Sequence, residues 1–153
     1  MSERVGLPRW LKLANPVIVA LQRRGVVIGT MRLLSAPGRK SGKLRTTPVS
    51  PLKVAGERYV IAGLEGADWV KNVRIAGWGI LARGREQERV NLVELPLQER
   101  APILREFPNR VPHGVRFFRQ LYGFSGTPEE FEALASRCPV FRVEEESKEA
   151  IRP

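Results

Sequence analysis

Val26–Val54 reads VVIGTMRLLSAPGRKSGKLRTTPVSPLKV. Two runs rich in Val, Leu, Thr and Met, Val26 to Ser35 and Arg45 to Val54, flank Ala36-Pro37-Gly38-Arg39-Lys40-Ser41-Gly42-Lys43. Aliphatic and β-branched residues suit a pleated, half-buried surface, and a cluster of Pro, Gly and Ser interrupts one. The stretch therefore predicts a hairpin with a basic, glycine-flanked connection. Ala55-Gly56-Glu57 is a second tight turn, and Arg58-Tyr59-Val60-Ile61-Ala62-Gly63 a third strand whose continuous apolar run predicts burial on both faces. Connections this short exclude crossover helices, so three strands in antiparallel meander order are expected.

Downstream, Asp68 suits the N-cap of a helix over Trp69 to Ala76, with Trp69, Val73 and Ala76 at helical spacing and Gly77 as its stop. Strands resume at Trp78 to Arg83 and Glu88 to Leu95, separated by Gly84-Arg85-Glu86-Gln87. After Pro96 the period becomes helical. Gln98 to Phe107 is a helix if Pro102 falls in its first turn, and His113 to Tyr122 carries Phe117, Phe118, Leu121 and Tyr122 on overlapping faces. Thr127-Pro128-Glu129-Glu130 is a capping box opening a helix with Phe131, Leu134, Ala135 and Cys138 at i, i+3, i+4 and i+7. Pro139 to Glu144 predicts a last strand, and 145–153 a charged tail. Upstream, Asn15-Pro16 through Arg23-Arg24-Gly25 predicts a short amphipathic helix within a 1–25 extension, suited either to packing on the domain or to peripheral contact with an anionic membrane. About six mainly antiparallel strands with four or five short helices make an α+β fold. Closure into a barrel would remove its exposed edges.

At 153 residues and 42% hydrophobic, the chain has the size of one domain with one sizeable core. It carries 26 Lys and Arg against 16 Asp and Glu. The excess is uneven: residues 1–53 hold eleven cations and one acid, Glu3, whereas 54–153 hold fifteen of each. That asymmetry points to an anion-facing surface built by the N-terminal third. One cysteine and one histidine exclude a disulfide framework and a Cys/His zinc cluster, consistent with a cytoplasmic chain. Cys138 sits on an apolar stripe and suits a core; His113 beside Pro112 suits a helix start. The longest uncharged run, Leu13 to Gln22, is half of the roughly 20 residues needed to span a bilayer.

Gly38 to Arg45 is the strongest local chemical signal. Two glycines permit close backbone approach, and the Ser41 hydroxyl with the Arg39, Lys40 and Arg45 side chains can donate to one phosphate or carboxylate. The same residues also suit a solvated hairpin tip. It is not a Walker loop, since Gly42-Lys43 is followed by Leu44 and position 37 is proline. No GxGxxG opens a βαβ unit, and no nucleophile–base pair is evident, so an enzyme built this way would rely on a bound cofactor for reactivity.

Two motifs and the order of elements resemble the deazaflavin-dependent nitroreductase family. One motif is Gly-Arg-Lys-Ser-Gly, here Gly38 to Gly42, followed by Arg45 and Pro48. The other is a tryptophan followed three residues later by asparagine, here Trp69 and Asn72. The likeness runs from about Val26 to Glu144. It implies a split β-barrel of the FMN-binding-like kind that holds coenzyme F420 and passes its hydride to a nitro-compound, a quinone or another electron-poor small molecule. By that resemblance Arg39, Lys40, Ser41, Gly42 and Arg45 would hold the coenzyme's phosphate and acidic tail, Thr46, Thr47 and Pro48 would line the ring, and Trp69, Lys71 and Asn72 would close the site. Tyr122 would be the aromatic hydroxyl that contacts the acceptor, and related barrels suggest a homodimer. Where many members have His-Pro or Asn-Pro before the tryptophan, this chain has Ala67-Asp68. The alternatives are the same barrel with FMN or haem, and a basic module for nucleic acid or anionic membrane. Nucleic acid is disfavoured because Trp10 is the only aromatic residue in 1–53.

Overall fold

A computed structural model describes residues 31–146. The first hairpin is present: β1 (Arg32–Pro37) and β2 (Leu44–Val49) pair antiparallel from Arg32↔Val49 to Pro37↔Leu44. Its connection is closed by Gly38 N–H donating to the Lys43 carbonyl and Gly42 N–H to the Gly38 carbonyl, each at 2.8 Å. Gly42 sits at φ 73°, a left-handed conformation that strains residues with a Cβ.

The expected strand Arg45–Val54 is two strands. Pro51 has no N–H to continue a ladder, and the chain breaks at Ser50-Pro51 before β3 (Leu52–Val54). β3 then turns through Ala55 and Gly56, both left-handed, into β4 (Glu57–Ile61), pairing Leu52↔Tyr59. The expected three-strand meander is corrected accordingly, because the other neighbour of β4 is the last strand, β7 (Val140–Glu145). β5 (Trp78–Arg83) and β6 (Glu86–Glu94) form a tighter hairpin than expected, turning at Gly84-Arg85.

The seven strands lie in the order β2-β1-β5-β6-β7-β4-β3. β2 and β3 are thus at opposite ends of the sheet, yet only Ser50 and Pro51 separate them in sequence. Three virtual bonds span at most about 11 Å, so the sheet must curl until its two edges approach each other. Among the described residues no ladder joins those edges. The result is a barrel open along one seam, in the expected α+β class.

Inside the curl, Leu34, Val60, Val90, Leu92 and Phe141 form a cluster plugged by Val70 and Val73 of α1 (Asp68–Ala76). A second cluster lies under α2 (Leu97–Arg110), a 3-10 turn (Pro112–Gly114), α3 (Val115–Tyr122) and α4 (Pro128–Glu132). The single core expected from composition is therefore divided: along β7, Phe141 and Val143 join the first cluster and Val140 the second, as strand alternation requires. The rings of Phe107, Phe118 and Phe131 meet at 4.9–5.2 Å, and each buried ring contributes on the order of 1.5–3 kcal/mol. Such burial offsets the cost of Pro102. That residue is sixth in α2 rather than in its first turn, because the helix begins at Leu97.

The helix opened by the capping box is shorter than its apolar spacing predicts. The Thr127–Glu130 box is formed, but α4 ends at Glu132. Leu134 and Ala135 then donate to Phe131 and Glu132, three residues back, and this tighter winding still delivers Phe131, Leu134 and Cys138 to the second core. The expected N-terminal helix and its membrane contact lie outside the described residues, as does all of the tail beyond Glu146; Glu145 belongs to β7. Among the described residues no helix is long and apolar enough to cross a membrane.

Candidate functional site

The β1–β2 connection faces α1, and one side chain fastens them together. Asp68 and Asn72 are four apart, so they share a helix face, while Val70 and Val73 turn into the barrel. Asn72 is only 4% exposed and is the one buried polar residue among those described. Its Oδ1 accepts from the Arg39 backbone N–H at 3.0 Å and from Arg39 Nη1 at 2.9 Å. Arg39 Nη2 also reaches Asp68 Oδ1 at 3.3 Å, although Asp68 is 85% exposed and that pair is weak. Asp68 is not the N-cap expected from the sequence: Ala67 occupies that place without a side-chain bond, and the carboxylate instead lies in the first turn, where the helix dipole favours it. Trp69 packs half-buried beside Phe141, ring centres 5.6 Å apart.

Between this tethered loop, α1, the end of α3 and the turn before β7 lies a cavity of about 1210 Å³. The hairpin contributes Arg39, Lys40, Ser41, Arg45, Thr46 and Thr47; the helix contributes Trp69, Lys71 and Asn72; Tyr122 lies on the far wall. Two residues expected at the site are not in the lining. Gly42 shapes the turn through its backbone, and Pro48 pairs opposite Leu33 in β2. Arg39 lines the cavity but is committed to Asn72 and Asp68. By contrast Lys40, Arg45, Lys71 and Arg137 make no ion pair among the described residues. With Asp68 matched by Arg39, the remaining carboxylate in the wall is Glu65. Four such cations against one acid give the cavity a positive wall, which suits an anionic ligand.

No protein-family model matches the chain, and no curated protein matches it. Solved structures do. Protein Atu2129 of Agrobacterium tumefaciens C58, of unknown function, aligns with a TM-score of 0.55 and 14% identity over 95% of this chain and 60% of that one. A domain-swapped dimer aligns at 0.50 with 20% identity over 88% and 97%, and an F420-H2 dependent reductase, FDR-A, at 0.47 with 24% identity over 78% and 98%. The chain has the split β-barrel fold.

In this split barrel the far wall of the cavity is held by Tyr122. Its hydroxyl donates to the Gly63 carbonyl at 2.5 Å and lies 3.6 Å from Cys138 Sγ. Burial pushes the phenol well above its ordinary pKa and pushes the Cys138 thiol up to about 11. The tyrosine proton is thus committed to a backbone acceptor, and the ring stacks between Arg137 and Phe118. Cys138 is fully buried in the core, as its stripe predicts, and His113 is exposed on the 3-10 turn, outside the lining. Near the hairpin, Thr46 Oγ1 and Ser35 Oγ share a hydrogen bond of 2.7 Å, and Ser41 Oγ accepts from the Lys43 N–H.

Sequence reasoning assigned no role at the site to Arg137 or to the segment Leu64 to Gly66. The segment follows β4 directly, so the end of that strand was a usable signal. Arg137 had none: it sits on the polar side of what reads as a helix, where cations are ordinary.

Proposed function

We propose that this chain is an oxidoreductase that holds coenzyme F420 in the cavity for hydride transfer to an electron-poor organic acceptor of the nitro-compound or quinone type. The observation that carries the proposal is the set of cations without an ion pair among the described residues, Lys40, Arg45 and Lys71, on the hairpin and α1 side of a cavity roomy enough for a long anionic molecule. A phosphodiester with several carboxylates suits that donor set, since charge-assisted hydrogen bonds are shorter and roughly twice as strong as neutral ones. The Gly-Arg-Lys-Ser-Gly and Trp-x-x-Asn resemblance supports the same ligand.

In this reading Lys40, Ser41, Arg45 and Lys71 hold the acidic portion, and Thr46, Thr47 and Trp69 orient the ring. Arg39 and Asn72 act one step behind, fixing the loop that presents Lys40 and Ser41. When bound, the reduced deazaflavin supplies the hydride. The chain's own residues bind, orient and screen charge, which is where positioning and electrostatic stabilisation arise. Haem fits less well: among the described residues the lining holds no histidine, cysteine or methionine for an axial position, and the hydroxyl of Tyr122, the tyrosine in that lining, is bonded to the Gly63 carbonyl.

Fluorescence titration of the purified protein with F420, repeated across a salt series, tests the proposal. Saturable binding that weakens with salt, together with oxidation of reduced F420 by a nitroaromatic or quinone acceptor, is the expected result. A protein that takes up FMN and not F420 would replace the cofactor; binding of neither would remove the oxidoreductase reading.

A further inference from the structure

Resting on the reading that the hairpin end of the cavity takes the deazaflavin, we infer that Arg137 selects an acceptor carrying a carboxylate or phosphate beside its electron-poor ring. Its guanidinium carbon lies 4.7 Å from the Tyr122 ring centre, stacked as a cation on an aromatic face. Tyr122 is fixed in turn by the hydrogen bond from its hydroxyl to the Gly63 carbonyl. The guanidinium is therefore held before any ligand arrives, and a planar fork fixed in advance loses less freedom per hydrogen bond formed to a carboxylate.

Arg137 makes no ion pair among the described residues, although its charge and that of Glu65 both act on Cys138. It also stands apart in the chain from the hairpin cations. Lys40 and Arg45 come from the β1–β2 hairpin and Lys71 from α1, whereas Arg137 comes from the turn before β7, on the wall made with Tyr122. An anionic tail seated on the hairpin leaves this cation for a second anion. A ring stacking near Tyr122 would bring its own carboxylate to the guanidinium.

The test uses the full chain and two probes of similar shape, para-nitrobenzoate and para-nitrobenzyl alcohol, read by quenching of the tryptophan fluorescence to which Trp69 in the cavity wall contributes. Wild type should favour the anion roughly three- to tenfold, the range for a partly exposed charged contact. Arg137→Gln should abolish that preference and Arg137→Lys restore part of it. Arg110→Gln, an equal charge loss at a residue paired with Glu106 outside the cavity lining, should keep it. An unchanged preference in Arg137→Gln overturns the inference. So does a loss of F420 affinity in that variant as large as in Lys40→Ala with the preference intact, which would make Arg137 a cofactor contact. If F420 fails to bind wild type while the Arg137-dependent preference persists, the proposed function falls and the anion subsite stands.

Discussion

Asn72→Ala separates a tethered loop from a loose one. The substitution removes one acceptor that serves two donors, the Arg39 backbone N–H at 3.0 Å and Arg39 Nη1 at 2.9 Å. A neutral amide bond contributes a net of about 1 kcal/mol and a charge-assisted one about 1.5–3, so a rigid loop would lose about 2.5–4 kcal/mol. The loop is partly exposed and water can reach Arg39 once it lifts, which places the expectation at about 2–3 kcal/mol. Folding survives a loss of that size against a total of about 5–15 kcal/mol. Binding suffers separately. If the residue at Arg39 must be ordered again by the ligand, at about 1–2 kcal/mol, F420 affinity falls roughly five- to thirtyfold.

Urea denaturation reads the first effect and fluorescence titration the second. Asn72→Asp keeps an acceptor oxygen for both Arg39 donors and the side-chain shape, so it should retain most of the stability, while its added negative charge lowers anion affinity modestly. The reasoning fails if Asn72→Ala leaves both the urea midpoint and the affinity at wild-type values, or if Asn72→Asp is destabilised as severely as the alanine variant.

Lys40→Ala and Arg45→Ala should each weaken F420 binding about three- to thirtyfold while lowering turnover at saturation much less, since both contacts act on bound cofactor and transition state alike; unchanged affinity in both would remove the cationic loop from the site. Gly79→Ala should cost about 1–3 kcal/mol in denaturant titrations, because a Cβ there would meet Leu34 Cδ1 and the Ser35 carbonyl oxygen, each at 2.9 Å, and the backbone oxygen cannot swing aside. Glu130 is held down to about 2, first by the Thr127 backbone N–H and next by the Ser125 hydroxyl, against an ordinary value of 4.5. A folded value below the unfolded one means stabilisation that is complete above pH 4.5 and lost as pH falls toward 2. Wild type should therefore show acid destabilisation in that window that Glu130→Gln lacks, measured as thermal midpoints from pH 5 to 2; parallel curves would sink the assignment.

The local pieces of this fold are legible where turn chemistry is explicit. Gly38 and Gly42 announce the first hairpin, Ala55-Gly56 the second, and Gly77 the end of α1, because each marks a backbone conformation or stop that few other residues tolerate. What escaped the sequence is long-range pairing. Nothing local says that β4 passes over β2 to pair with β7, or that Ser50-Pro51 cuts one apparent strand in two and sends the halves to opposite edges. The site divides the same way. The hairpin cations and the Trp69–Asn72 pair were visible as motifs, but the use of Arg39 as a fastener for Asn72 was not, since a cation offered to a ligand and one offered to a buried amide read identically. Arg137 was invisible for a related reason: only the folded chain brings the turn before β7 to Tyr122.

The open seam explains why the cavity lies beside β2. A strand inside a closed ladder has backbone groups satisfied on both sides, whereas among the described residues β2 pairs with β1 alone, so its outer edge keeps N–H and C=O groups available to a ligand. Pro48 fits that position, because a proline costs a ladder bond only where a second neighbour would need its N–H. Thr46 and Thr47 sit on the same edge and line the cavity, directly after the cationic loop and across from α1. A ladder between β2 and β3 would take up those backbone groups and close the barrel. Leaving the seam to two residues of chain keeps the edge usable, and the fastening of Arg39 to Asn72 then stabilises an edge that no second strand among the described residues supports.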